Sequence, residues 1–210
     1  MRTLARARTV TVLGRLDPDR KTQVIQFLVE AKLVQSVDDR DPIIALSGAE
    51  LSDADLNGAN MSGAKLSEAN MIGANLANAK LNEAKLSEAK LSEANLNGTK
   101  LIKANLFVVN LSKAQVSLAN LSEADLSNYG VKGANGANLS DAVLLLANLM
   151  KANLSKTNLS GANLNQARGI TNEKLDQQAS SLEGATMPNG QKYEDWLKDR
   201  EGRKEDGKDE

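Results

Sequence analysis

From Leu46 to Leu164 a large apolar residue returns at every fifth position, with an alanine two places before it and polar residues between. These large residues, called centres below, run from Leu46, Leu51, Leu56 and Met61 by fives to Val131, and resume at Leu139, Leu144, Leu149, Leu154, Leu159 and Leu164. A helix advances about 100° per residue, so a five-residue step scatters successive centres around the cylinder and builds no apolar stripe. In extended backbone, side chains alternate, so each alanine and the centre two residues on point the same way. The three residues between a centre and the next alanine break that alternation and let the chain turn a corner. Each pentapeptide is then one short side of a coil, and four of them close a square turn of twenty residues.

Eighteen centres precede the break after Val131 and six follow it, enough for about six square coils. At roughly 4.8 Å per hydrogen-bonded level they form a prism filled by one leucine-sized and one alanine-sized residue per side. Such an interior is full and dry, and it is neither a pore nor a ligand cavity.

The triplets Ala54-Asp55-Leu56, Ala74-Asn75-Leu76, Ala94-Asn95-Leu96, Ala119-Asn120-Leu121 and Ala162-Asn163-Leu164 carry a resemblance. The chain resembles the pentapeptide-repeat family, whose motif is Ala-Asp/Asn-Leu-x-x, and in particular its cyanobacterial members. The resemblance implies a right-handed quadrilateral β-helix. The expected fold is therefore an all-β solenoid with α-helical caps. The expected divisions are a helical cap and linker over 1–42, the repeats over 43–168, a second cap with a short helix over 169–197, and a disordered charged tail over 198–210.

The flanks read as covers for the two open ends, which otherwise expose strand edges and an apolar cross-section. Residues 1–16 mix four arginines with apolar residues and lean to helix. Asp17 is a good N-cap and Pro18 suits a first helical turn, and Val24, Ile25, Phe27, Leu28 and Leu33 make a helix face through about Val34. Arginine-rich segments with a Leu-Asp start and a Phe-Leu helix also look like those preceding the repeats in many cyanobacterial members. At the other end Thr171 or Asn172 can cap a helix over 173–178, and Leu182, Ala185 and Met187 can close the last coil before a turn at Pro188-Asn189-Gly190. Tyr193, Trp196 and Leu197 share a helix face that can pack on that end.

One irregularity interrupts the repeat. Val131 and Leu139 are eight residues apart, Tyr129 stands where an alanine belongs, Gly130 follows it, and Gly136 occupies a would-be centre. A tyrosine ring does not fit an alanine site in so narrow a coil. The spacing predicts a local bulge of three extra residues, with Tyr129 turned outward or covering the distortion.

Composition removes most chemistry. Without histidine or cysteine there is no imidazole base, thiol nucleophile or disulfide, and most zinc sites are excluded. Carboxylate pairs such as Asp53 and Asp55 sit on convex walls that enclose no substrate. The chain reads as a non-enzyme without metal or cofactor. No apolar run is long enough to span a membrane and no signal peptide is visible, so the expected compartment is the cytoplasm.

The outward positions bear on function. Of the 24 residues preceding centres, twelve are asparagine, five are lysine, and three (Glu50, Asp55 and Asp125) are acidic. Some members of the family act as DNA mimics that bind a type II topoisomerase such as DNA gyrase, which requires dense negative charge. Here the repeats are neutral, with Lys65 over Lys85 and Lys80 over Lys100 and with Glu68, Glu83 and Glu88 expected beside them as a charge-zippered wall. Mimicry is therefore the alternative rather than the first reading. Ice binding calls for an outward threonine ladder, whereas Thr99 and Thr157 face inward. The exception to a polar exterior is Ile102, Phe107, Val108, Leu145, Leu146 and Met150, expected near the edge joining the fourth and first sides, with Leu118 on another corner. These six form a candidate interaction patch unless a terminal segment covers them. The expected activity is that of a protein-interaction scaffold with an unidentified protein partner, as a monomer or weak homodimer. It takes no small-molecule substrate, and nucleic acid is disfavoured. Membrane contact is expected only peripherally, through the basic amino-terminal segment.

Overall fold

Each pentapeptide closes on the same bond. The alanine N–H donates to the carbonyl of the centre three residues earlier, as in Ala64 to Met61 at 3.0 Å and Ala69 to Leu66 at 3.1 Å. The second of the two corner residues holds a positive φ, 61° at Glu68 and 68° at Gly73, as a type II turn requires. A computed structural model describes residues 9–37, 40–127 and 136–205.

Successive levels are joined by parallel bridges between residues twenty apart, so four pentapeptides make one level. Each side contributes a single bridged residue, so the sheets are columns of isolated bridges rather than long strands. On the first side the ladder runs Lys65, Lys85, Asn105, Asp125, Asn153, and on the second from Glu50 through Asn70 and Lys90 to Asn158 and Ser181. The third runs from Asp55 through Asn95 and Val143 to Thr186, and the fourth is Asn60, Lys80, Lys100, Asn120, Asn148 and Arg168. The described centres, and the alanines of the described repeats apart from the half-buried Ala59, are buried and form one continuous core. Thr99 and Thr157 do face inward, fully buried, and their hydroxyls donate to the Leu76 and Leu126 carbonyls at 2.9 and 3.3 Å.

The irregularity is larger than its spacing predicts. Asn110 pairs with Asn138 and Gln115 with Val143, a step of 28 rather than 20, so this level carries eight additional residues, not three. The coil nevertheless closes on its usual turn bond, from Ala137 N–H to the Leu126 carbonyl at 2.9 Å. The ladder therefore passes from Leu126 to Leu139 with no side between them. Tyr129, Gly130 and Val131 lie outside the described residues.

The amino-terminal cover supplies the partners that a preceding coil would supply. Residues 9–13 are helical, and α1 spans Pro18–Glu30 with Asp17 as N-cap, accepting from Arg20 N–H at 2.9 Å. α1 ends four residues earlier than its apolar face suggests. Lys32 turns left-handed at φ 56°, and the N–H groups of Lys32 and Leu33 return to the Val29 and Leu28 carbonyls, the bond pair of a Schellman stop. Leu13, Ile25, Leu28 and Val34 are buried against the first level. Lys21 Nζ donates to the Ser52 carbonyl at 3.1 Å, Thr22 Oγ1 accepts from Asp55 N–H at 2.8 Å, and Ser36 N–H donates to the Ser62 carbonyl at 2.8 Å. Exposed ladder groups at this edge are thereby paired within the chain.

At the other end α2 spans Asn172–Gln178, capped by Thr171, and the step from Asn158 to Ser181 lengthens to 23 residues to admit it. Leu182, Ala185 and Met187 are buried over the last level. α3 spans Tyr193–Glu205 and so continues well beyond Lys198, where composition predicts a disordered tail. Trp196 and the Arg200 guanidinium, 4.7 Å above its ring, anchor that continuation.

Candidate functional site

The asparagines before the centres are structural. Asn110, Asn120, Asn138 and Asn163 each accept, through Oδ1, the N–H two residues on, at 3.0–3.1 Å. This Asx-type bond pins the corner in place. Where lysine replaces asparagine the level below can substitute, as when Ile102 N–H donates to Asn82 Oδ1 at 3.2 Å.

Lysines cannot make that bond. Lys80, Lys100 and Arg168 are exposed and have no ionic partner among the described residues. The expected zipper with Glu68, Glu83 and Glu88 does not form among the described residues; each of these glutamates stands at the second corner residue, with φ of 61°, 59° and 60°. Lys65 instead pairs with Asp41 at 2.6 Å. The other three ladders each contain an acid (Glu50, Asp55 or Asp125), while the fourth holds only asparagine, lysine and arginine.

The structure distributes the six apolar positions over three corners rather than one edge. Ile102 and Met150 lie where the fourth side meets the first, Phe107 and Val108 where the first meets the second, and Leu145 and Leu146 where the third meets the fourth. The eight-residue insertion moves Leu145, Leu146 and Met150 back by one side relative to the five-residue count. It also sets Leu145 and Leu146 on the corner of Leu118: Leu118 N–H donates to the Leu145 carbonyl at 2.9 Å, so Leu146 lies one level above Leu118. A sequence signal for this existed. Joining Ser127 to Gly136 gives Leu-Ser-Gly-Ala-Asn-Leu, the same string as Leu159 to Leu164.

Leu118 is 65% and Met150 51% exposed, and the other five positions are half-buried. Val108, Leu118 and Leu146 hold φ of 53°, 61° and 59°. Every other positive-φ residue among the described corners is glycine or polar. Gly136, at the exit of the insertion, lies so close to the Ser155 and Lys156 backbone that a Cβ there would sit 2.7 Å from the Ser155 carbonyl oxygen.

Two ionisable clusters support the covers. Burial would raise the Glu50 carboxyl, but hydrogen bonds from Ser52 and Asn70 and the Lys21 charge outweigh it and hold it below its ordinary range. Asp176 behaves likewise: burial opposes ionisation, while Tyr193 Oη and Arg200 Nη1, each donating at 2.6 Å, lower its pKa. Burial, then the bond to Asp176 and its charge, push the Tyr193 phenol up to about 12. A groove of about 450 Å³ between α1 and residues 56–60 contains one carboxylate, Glu30, and no nucleophile–base pair. Among the described residues no helix is long and apolar enough to cross a membrane.

Comparison with known proteins agrees with the repeat geometry. The family description "Pentapeptide repeats" matches in 8 copies over residues 45–82, 69–106, 89–128 and 134–166, more than half of the chain. Among solved structures, the chain is similar to HetL, a pentapeptide repeat protein involved in heterocyst differentiation regulation from Nostoc sp. strain PCC 7120. The identity is 33%, covering 72% of this chain and 69% of that one, with a TM-score of 0.44. It is also similar to Rfr23, a pentapeptide repeat protein from Cyanothece 51142, at 36% identity over 41% of this chain and 58% of that one, with a TM-score of 0.40. Full-length QnrB1, a plasmid-mediated fluoroquinolone resistance protein, is 17% identical over 76% of this chain and 85% of that one, with a TM-score of 0.41. No curated protein matches. Proteins built this way are generally non-catalytic structural or interaction proteins. With its twenty-residue ladders, inward alanines and leucines, and matches over more than half its length, this chain belongs to the pentapeptide-repeat family.

Proposed function

We propose that this protein is a non-catalytic scaffold, a right-handed quadrilateral helix of about six coils that binds another protein through its irregular corners. The observation that carries this reading is the strain at Val108, Leu118 and Leu146. A left-handed conformation costs an ordinary L-residue about 1–2 kcal/mol. Glycine or asparagine would relieve it, and an exposed leucine recovers little of it by burial. Apolar side chains kept at strained corners, exposed at Leu118 and half-buried at Val108 and Leu146, are accounted for by a surface that buries them.

The test is the double substitution Phe107→Ser with Leu146→Ser. It is expected to leave the circular dichroism spectrum intact while reducing self-association in light scattering or recovery of a partner by affinity capture from native extract. If neither changes, the corners are not the binding surface.

Mimicry of DNA remains the second reading of the same scaffold. The cations of the fourth side, unpaired among the described residues, oppose it, since a duplex mimic presents anionic walls. Purified protein is expected to leave gyrase supercoiling unaffected at high micromolar concentration, and inhibition would reverse the order of the two readings.

A further inference from the structure

We propose that the fourth side, bearing the ladder of Asn60, Lys80, Lys100, Asn120, Asn148 and Arg168, is the docking face, and that its occupant is an acidic protein segment carrying apolar side chains. This rests on the scaffold reading above and adds to it the face and the chemistry of the partner.

Three independent features converge on this side. Its cations are unpaired among the described residues, so their charge is available to a ligand instead of being spent within the chain. It lacks the acidic ladder member that each other side has. Both of its edges carry apolar residues: Leu118 and Leu146 on adjacent levels of one, and Ile102 and Met150 on the other, two levels apart with Glu123 between them. The corner residues preceding this side, from Asn57 and Gly58 through Ala77, Asn78, Asn97, Gly98 and Ser117 up to Asn165 and Gln166, include no charge at all.

Adjacent levels are ~4.8 Å apart, so Lys80 and Lys100 present two neighbouring positive groups and Arg168 a third roughly 14 Å beyond Lys100. Leu118, Leu146 and Met150 lie on the levels between these poles, and Ile102 lies beside Lys100. An extended or helical peptide aligned with the solenoid axis meets cation, apolar rim and cation in turn. Nucleic acid is a poorer fit, because Glu83 and Glu123 interrupt the cations Lys103 and Lys151 on one edge and the fourth side offers no aromatic residue for stacking. Carboxylates on a partner complement the free cations, and its apolar side chains relieve the exposure of Leu118 and Met150.

The probe is a display library of random peptides roughly a dozen residues long, able to span ~40 Å when extended, selected on the full chain. Enriched sequences are expected to be acidic and rich in leucine, isoleucine or phenylalanine. Their affinity should fall about tenfold or more in Lys80→Glu/Lys100→Glu, and separately in Leu118→Ser/Leu146→Ser, with Lys90→Glu on the second side as the unaffected control. Unchanged circular dichroism keeps either loss from being a folding defect. Neutral or basic selected peptides, binding indifferent to both variants, or an absence of enrichment overturns the proposal. So does tighter binding of oligo(dT) or phosphatidylserine vesicles that depends on the same lysines. If the partner captured from native extract is retained by Lys80→Glu/Lys100→Glu but lost by Phe107→Ser, the scaffold reading stands and the fourth side is not its face.

Discussion

Lys21 reaches from α1 into the base of the stack, 95% shielded, and places its ammonium 3.1 Å from the Ser52 carbonyl and 4.0 Å from Glu50 Oε1. A lysine is rarely buried unless its charge is matched. Here the carbonyl is one that a preceding coil would otherwise pair. Lys21→Met keeps the stem and removes the donor, leaving Ser52 without this partner and Glu50 without its counter-charge. Urea unfolding is expected to show a loss of about 1–3 kcal/mol. A midpoint unchanged from the parent chain would mean that water pairs this edge as well as the lysine does.

Val108 is the β-branched residue among the left-handed corners. Asparagine tolerates that conformation and keeps the two hydrogen bonds of the turn. Val108→Asn is therefore expected to stabilise the chain by about 1 kcal/mol, read as a higher urea midpoint at constant slope. Leu118→Asn and Leu146→Asn should move the same way while weakening partner capture. A stabilised chain that has lost binding is the signature of strain kept for function.

Excising residues 128–135 joins Ser127 to Gly136 and restores a level of regular length, with Leu126-Ser127-Gly136-Ala137-Asn138-Leu139 as its corner. The shortened chain is expected to fold with a thermal midpoint equal to or above that of the full chain, since a shorter closed loop costs less entropy. Collapse of the ladder on excision would show that the insertion supports the coil. Gly136→Ala in the full chain is the opposite case, and the crowding against Ser155 and Lys156 predicts a loss of about 1–3 kcal/mol.

The Asp176–Tyr193–Arg200 cluster makes the carboxyl-terminal cover sensitive at both pH extremes. Asp176 is depressed, so its contribution is present above its unfolded pKa and is lost as pH falls through the lower folded value. Tyr193 is raised from 10.0 to about 12, so its contribution is complete below 10 and is lost as pH rises towards 12. Trp196, the single tryptophan, stacks 6.1 Å from Tyr193 and reports on this end by fluorescence. Tyr193→Phe should abolish the alkaline transition and weaken the acid one, since Arg200 alone then opposes burial at Asp176. Persistence of the alkaline step in that variant would assign it elsewhere.

Much of the solenoid was legible in residue order. A five-residue period with small and large apolar members admits one economical solution: short sides, a turn after each, and inward side chains that stack on their own kind. Asp17, Pro18 and Thr171 announced helix starts because capping is a local interaction. The stop of α1 was not legible, since Lys32 took a left-handed turn that composition assigns to glycine. Nor was the helical continuation of α3, where Asp176, 24 residues earlier in the chain, holds Arg200.

The apolar outward residues could be picked out one by one from the five-residue register, but their grouping could not. Which of them share a corner depends on how many residues lie between levels, and that number is set by hydrogen bonds between distant segments. The bond from Ala137 to Leu126 closes a level eight residues longer than the others and turns the remaining levels by one side, bringing Leu146 over Leu118 and Met150 to the edge of the cationic face. The period alone thus determined the coil and its dry core, because both follow from which side chains alternate inward. Tertiary structure alone decided which outer residues meet, because a corner is shared only by residues that the ladder brings into register.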